Sequence, residues 1–390
     1  MRHLEKLIEP KILGPFLTVD NICDGQLHLA ALFVAPTDID VPDIETDTGQ
    51  FPAQELTTIE HHRVQRARFT RPALARSQYT WAGMQFDVTG VPDTDFRIAS
   101  ASCNGEEQGD MDRDPAERNA MWARFCSHHP TTPFSLLLHG GDQIYADEAT
   151  KGHRLSEDWP KSVPRDPTRA DLDGLRDHLR SRFAARYIAL LEDPSYAWIF
   201  ALVPSLAQWD DHDICDGWGS LPRSRTYSPA GQLLFTVARE MAFLFQHGCI
   251  DGDLPARFAD PKGRHLGWQV QTGELRLNAP DLRSERTRRD VMGERGWQMM
   301  EAAAAALAPA HTFFVSSVPL LGPRLLVFET MMVLIPTMQK YEDDPRDQWQ
   351  SRAHRDSWKR MLNLAKDMVA QGGDVTAVSG EIHLAAPLEL

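Results

Sequence analysis

Over the first 95 residues, hydrophobic and polar positions come in short alternating runs. FLTVD, QLHLAALFVAP, ELTTIEHHRVQRARFT and YTWAGMQFDVTG are β-rich, are punctuated by Pro, Gly and Asp, and carry no helical stripe. Runs of this kind predict strands, and their clustering predicts a small antiparallel β-sandwich over residues 1–95, with a boundary in GVPDTDF. From residue 97 the rhythm changes. RIASASC reads as a strand, PAERNAMWARFCSHH as a helix with Asp114 as N-cap and Pro115 at its first position, and FSLLLHGGD as the next strand. Strand, helix and strand in succession imply a parallel pair. Leu175, Leu179, Phe183 and Tyr187 recur every fourth residue, which predicts a helix and assigns Tyr187 to its core face. LLFTVAREMAFLFQHG predicts another helix, and WQVQTGELRLNA is strand-like. An Ala-rich helix over 294–307, an apolar strand over 312–318 and a helix over 356–370 follow, the last stopped by Gly372 and Gly373. Residues 149–172 and 221–270 read as irregular excursions, the second with that one helix. The fold class is α/β.

Three stretches share one design, in which an apolar strand runs out into a turn and then into potential ligands. FSLLLHGGDQIYADE breaks at Gly140 and Gly141 and presents Asp142, Tyr145, Asp147 and Glu148. The two glycines allow a sharp turn and a close approach by a ligand. LAQWDDHDICDGWGS carries Asp210, Asp211, His212, Asp213 and Asp216, flanked by Trp209 and Trp218. Carboxylates this close need a cation or strong hydrogen-bond donors to relieve their repulsion. DVTAVSGEIHLAA ends in Glu381 and His383, and RIASASC ends in Cys103. Parallel strands deliver ligands at their carboxyl ends, so the spacing supports a metal site on the sheet edge, without naming a reaction.

Composition narrows the alternatives. The 390-residue chain carries a formal charge of −14, which argues against a nucleic-acid surface or an anionic membrane surface. Its five cysteines show no zinc or disulfide-framework spacing. The most apolar stretch, 313–337, is interrupted by Pro319, Pro323, Arg324 and Glu329, so no membrane span is expected. The first residues lack the apolar run of a signal peptide, and a cytoplasmic location is the corresponding expectation.

GDQIYADE, WDDHD and SGEIH, preceded by ASCN and joined by LNAPDLRSER and MGERGWQMM, resemble the PhoD-like alkaline phosphatases, a family of calcineurin-like metallophosphoesterases. GDxxYAD is shared with purple acid phosphatases. The similarity runs from about residue 96 to the end, with a looser likeness to the family's sandwich domain before it. The resemblance implies a four-layer αββα catalytic domain over 96–390 behind an N-terminal β-sandwich. It also implies metal-dependent hydrolysis of small-molecule phosphate esters, as phosphomonoesters or phosphodiesters, by a metal-bound hydroxide. Asp142 resembles the bridging carboxylate. Cys103, Tyr145 and His383 resemble the ligands of an iron(III) ion, and Asp211 and Glu381 those of a second, hard-oxygen site. Ligand softness favours calcium there, with magnesium, manganese or zinc as alternatives. His212 resembles the histidine that assists the leaving oxygen; Asp213 or Asp210 would pair with it, and Arg283 would hold the phosphate. Glu381 replaces the usual Asp, DDHD replaces DDHE with Asp216 beyond it, and the chain stops seven residues after His383, short of where relatives end. Those departures raise the alternative of a degenerate relative that binds metal and phosphate compounds without turnover.

Overall fold

Residues 12–92, 96–307, 309–322 and 347–380 are described by the structure, a computed structural model. The first two strands, β1 (Leu13–Cys23) and β2 (Gln26–Pro36), each run through seven consecutive buried residues rather than alternating. A strand apolar on both faces belongs in the middle of a covered sheet, and that is where β1 lies. Its antiparallel partner is β2, which pairs in turn with β6 (His62–Pro72), and β6 with β5 (Gln54–Ile59). On its other side β1 runs parallel to β11 (Ser205–Gln208), which is followed by β10 (Leu136–Gly140) and β9 (Ile98–Ala101). The seven-stranded order is β5-β6-β2-β1-β11-β10-β9.

The split expected at residue 95 therefore does not fall between sheets. β1, β2, β5 and β6 share a sheet with the strands that carry the candidate ligands, while β3 (Ile44–Thr46), β4 (Gly49–Phe51), β7 (Ser77–Trp81) and β8 (Met84–Val88) form a separate antiparallel sheet. The apolar run QLHLAALFVAP carried the information. Seven consecutive buried positions, 29–35, leave no face for solvent.

A third sheet has the order β12 (Trp268–Thr272), β13 (Leu275–Ala279), β14 (His311–Ser316), β15 (Asp374–Ser379), parallel from β13 onward. It meets the seven-stranded sheet through Trp268, whose Nε1 donates to the Ala207 carbonyl at 2.5 Å, and through Gln208, which donates to the Pro280 carbonyl.

The predicted helix after β9 is two pieces, α1 (Pro115–Arg118) and α2 (Ala120–His128), with Asn119 between them. Asp114 caps the first by accepting the Ala116 N–H at 2.9 Å. The fourth-residue recurrence matches α3 (Arg169–Leu191), which opens on a Thr168–Asp171 capping box and buries Leu175, Leu179, Phe183 and Tyr187. α4 (Pro194–Leu202), α5 (Arg223–Thr226) and α6 (Pro229–His247) follow, then α7 (Glu294–Ala305) and α8 (Arg355–Ala370). Among the described residues no helix is long and apolar enough to cross a membrane.

Candidate metal centre

Parallel pairing puts the carboxyl ends of β9, β10 and β11 side by side: His139 is opposite both Ala101 and Ala207. The loops beyond them are zipped together. Cys103 N–H donates to the Gly141 carbonyl at 3.1 Å, Asn104 N–H to the Asp142 carbonyl at 2.8 Å, and Ala146 N–H to the His212 carbonyl at 2.8 Å. Cys103 and Asp142 both hold positive φ, 59° and 54°. That strain for residues with a Cβ is characteristic of functional loops. Gly141, at φ 108°, has no alternative, because a Cβ there would lie 2.6 Å from the Asp210 Cβ. The close approach is thus to the neighbouring loop.

Asp142, Asp211 and His212 form the one group of potential metal ligands found among the described residues, with donor atoms within 4.8 Å of one another. Asp142 is buried; its Oδ1 accepts the His212 N–H at 3.2 Å, and the Cys103 thiol donates to its Oδ2 at 3.7 Å. Burial, then the neighbouring Asp210 and Asp211 charges, push its pKa well above the usual carboxylate range. Asp211 accepts the Gly217 N–H on Oδ2 at 2.8 Å. Its Oδ1 is buried without a hydrogen bond and has only an ion contact to Arg283 at 3.2 Å. A buried carboxylate oxygen left in that condition is costly unless a cation completes it. The donor set therefore fits a metal ion.

Tyr145 is buried and its ring stacks on His212, centroids 4.2 Å apart. Its carbonyl accepts from Arg186 Nε of α3 at 3.0 Å, so the long helix holds the loop that presents it. Burial first, then Asp142 and Cys103, suppress its ionisation. A cation among those groups would reverse the effect.

The structure reassigns the partner of His212. Asp147, not Asp213 or Asp210, takes its Nδ1, at 2.8 Å. Burial opposes charge on the imidazole, but the Asp147 hydrogen bond and the Asp211 carboxylate outweigh it and raise its pKa to about 12. Asp213 is fully buried and faces backbone. It accepts the N–H groups of Asp142 and Asp210 at 2.9 Å, Gln143 at 3.1 Å and Ile144 at 3.2 Å, together with Gln246 Nε2 at 2.9 Å. It shapes the loop and does not touch His212.

Arg283, expected to hold phosphate, is instead buried and committed to protein groups: Asp210, the Trp218 carbonyl and both oxygens of Asp347. Neither Asp347 nor the Asp147 pairing was visible in the motifs, since both lie more than 60 residues from their partners.

Glu381 and His383 lie outside the described residues. The residue before them, Gly380, donates its N–H to the Ser316 carbonyl at 2.9 Å, and a Cβ on Gly140 would lie 3.6 Å from its Cα. The end of β15 thus abuts the turn that presents Asp142.

An α/β fold whose parallel strand ends gather a buried carboxylate–imidazole cluster has a candidate metal site where such sheets present their ligands. More particularly, the chain belongs to the PhoD related phosphatase family, whose model matches residues 74–344. An uncharacterized protein of Saccharomyces cerevisiae is 21% identical over 353 residues, covering 74% of this chain and 50% of its own length. The chain thus spans about half the length of that curated relative. A solved structure of PhoD superposes with a TM-score of 0.54 at 14% identity, over 96% of this chain and 71% of its own, a likeness of fold.

Proposed function

We propose that this chain hydrolyses small phosphate esters, monoesters or diesters, at a metal centre on the joined strand ends. The convergence of Asp142, Asp211 and His212, with a buried Asp211 oxygen that lacks a hydrogen bond, carries the reading. Cys103, Tyr145 and His383 would hold one ion, a transition ion such as iron(III) by its match to thiolate, phenolate and imidazole, Asp211 and Glu381 would hold a hard cation, calcium or else magnesium, manganese or zinc, and Asp142 would serve both. Bound there, such ions polarise the phosphoryl oxygens and acidify water. The seven-stranded and β12–β15 sheets would be the inner layers of an αββα sandwich, since they meet through Trp268 and Gln208.

The protein's own groups do the rest. Asp147 occupies Nδ1 of His212 and favours the protonated ring, leaving Nε2 to donate to the departing oxygen. Cations beside Asp142 and Asp211 would offset their contribution to that acidity, while the Asp147 hydrogen bond remains. Tyr145, stacked on the imidazole, restricts its rotation.

Turnover of a chromogenic phosphate ester after metal loading, compared between the parent and Asp142→Asn, tests the proposal. The variant should lose both activity and bound metal. Full metal content with normal turnover in Asp142→Asn would refute it, and a metal-loaded parent that turns over no ester would establish the degenerate alternative.

A further inference from the structure

The geometry points to Arg283 as the positioning residue of this centre: its guanidinium fixes Asp211 and neutralises Asp210, and so sets the affinity for the hard cation. This rests on the metal reading above and adds a residue to it.

Arg283 is fully buried and reaches three chain stretches at once, at residues 210–211, 218 and 347. Nε bonds Asp210 Oδ1, Nη1 donates to the Trp218 carbonyl at 3.0 Å and to Asp347 Oδ1 at 3.1 Å, and Nη2 donates to Asp347 Oδ2 at 2.8 Å. The same Nη2 lies 3.2 Å from Asp211 Oδ1. The backbone beneath it is held as well. Asp281 Oδ1 accepts the Arg283 N–H at 2.9 Å and the Trp209 indole N–H at 3.0 Å, which pins the loop after β13 to the residue that precedes Asp210. Ser317, just beyond β14, donates to the same Asp210 oxygen at 2.7 Å. The ends of both sheets therefore converge on one Asp210–Arg283 pair.

Charge separates the ligands from their supports. Asp347 also pairs with Arg286 at 2.5 Å, and Gly219 makes room for that side chain, because a Cβ there would lie 2.6 Å from the Arg286 Cδ. Two guanidinium groups thus face three carboxylates, Asp210, Asp211 and Asp347, which leaves a net negative charge there and Asp142 without a guanidinium partner. Asp211 is steadied at both oxygens, by the Gly217 N–H and by Arg283, yet Oδ1 makes no hydrogen bond and keeps its lone pairs for a metal. Planarity is essential to this arrangement: a fork can meet Asp347 with two parallel bonds and still face Asp210 and Asp211, which a lysine ammonium cannot. Groups that orient a metal ligand through a hydrogen bond or ion contact typically contribute 10–100-fold to metal affinity.

The test is calorimetric titration with calcium and with manganese, and metal analysis, on the parent, Arg283→Lys, Asp347→Asn and a control, Arg276→Met, each checked for folding by circular dichroism. Arg276 is a buried arginine that caps the Ala303 and Leu307 carbonyls, away from the centre. Arg283→Lys and Asp347→Asn should each lose about 10–100-fold in cation affinity, with the control unchanged. Asp347→Asn keeps the Arg283 charge and shape, and decides the matter if Arg283→Lys does not fold. Parental affinity in either folded variant, or an equal loss in the control, would overturn the proposal. A parent that binds neither cation would instead remove the metal reading on which it rests.

Discussion

At the scale of single residues, the site depends on which carboxylate reaches which group. Asp147 and His212 are 65 positions apart, and the 2.8 Å bond between them forms only because β10 and β11 are parallel neighbours. Asp147→Asn should keep metal and fold but lose about 10²-fold or more in rate, within the usual worth of an oriented general acid. The loss should be large for alkyl phosphates and small for nitrophenyl phosphates, whose leaving groups need little protonation; equal losses across the two would exclude the role. GDQIYADE showed the anion but could not show its partner. Asp213 looked closer because it is adjacent in sequence, yet the turn after β11 sends its carboxylate back under residues 142–144. Arg283 was legible as a cation near the motifs. Its burial was not, because that depends on Asp347, which is 64 residues away and in no recognisable motif.

At the scale of elements, Asp213 is the brace that joins the β10 and β11 loops. Replacing it with Ala would leave four backbone N–H groups without an acceptor and the Gln246 amide with only the Tyr187 hydroxyl. An unsatisfied buried donor costs about 1–3 kcal/mol, so Asp213→Ala should destabilise the fold by several kcal/mol and weaken metal binding with it. Urea denaturation gives the comparison, and a change under about 1 kcal/mol would show that the brace is dispensable. Elements with a strong local pattern were legible: the fourth-residue recurrence of α3, the Asp114 cap, and the apolar run of β10 all appear as expected. What one stretch cannot encode is its neighbours. YTWAGMQFDV reads as β-rich and does form strands, the antiparallel pair β7–β8, but nothing in it says that β1 and β2 belong to a different sheet from β7.

At the scale of the molecule, buried neutral histidines add to the fold's sensitivity to acid. Burial lowers the pKa of His139 and of His354 to about 3, and that of His129 to about 4. Below about pH 6.5 the unfolded chain takes up protons that the folded sites refuse. Their stabilising contribution is therefore complete above that pH and declines as pH falls toward 4 and 3, by up to about 1.4 kcal/mol per unit for each group. His139, enclosed by Trp122 and Phe200 with ring centroids 5.7 and 5.1 Å away, offers the test. His139→Phe should flatten the pH dependence of the urea midpoint between pH 7 and 4; an unchanged slope would assign the acid sensitivity elsewhere.

The shared sheet leads to a sharper prediction. β1 sits at the junction of the antiparallel and parallel halves, between β2 and β11, and Ser205 Oγ of β11 donates to the Leu17 carbonyl at 3.0 Å. Arg257, from the stretch after α6, reaches the Val19 carbonyl, and Tyr79 of β7 donates its hydroxyl to the Ala201 carbonyl of α4 at 2.6 Å. Removing residues 1–95 would strip β11 of its neighbour, expose an unpaired edge beside the metal loops, and uncover the apolar face on which α4 and α6 pack. A fragment of residues 96–390 should therefore be insoluble or lack a cooperative thermal transition and should bind no metal, although the motifs lie entirely within it. A fragment that melts cooperatively and binds metal like the full chain would show that the first 95 residues are an independent domain after all. Coexpression of residues 1–95 with 96–390 makes the test two-sided: if β1 is integral to the sheet, the two pieces should recover a soluble, metal-binding complex that neither forms alone.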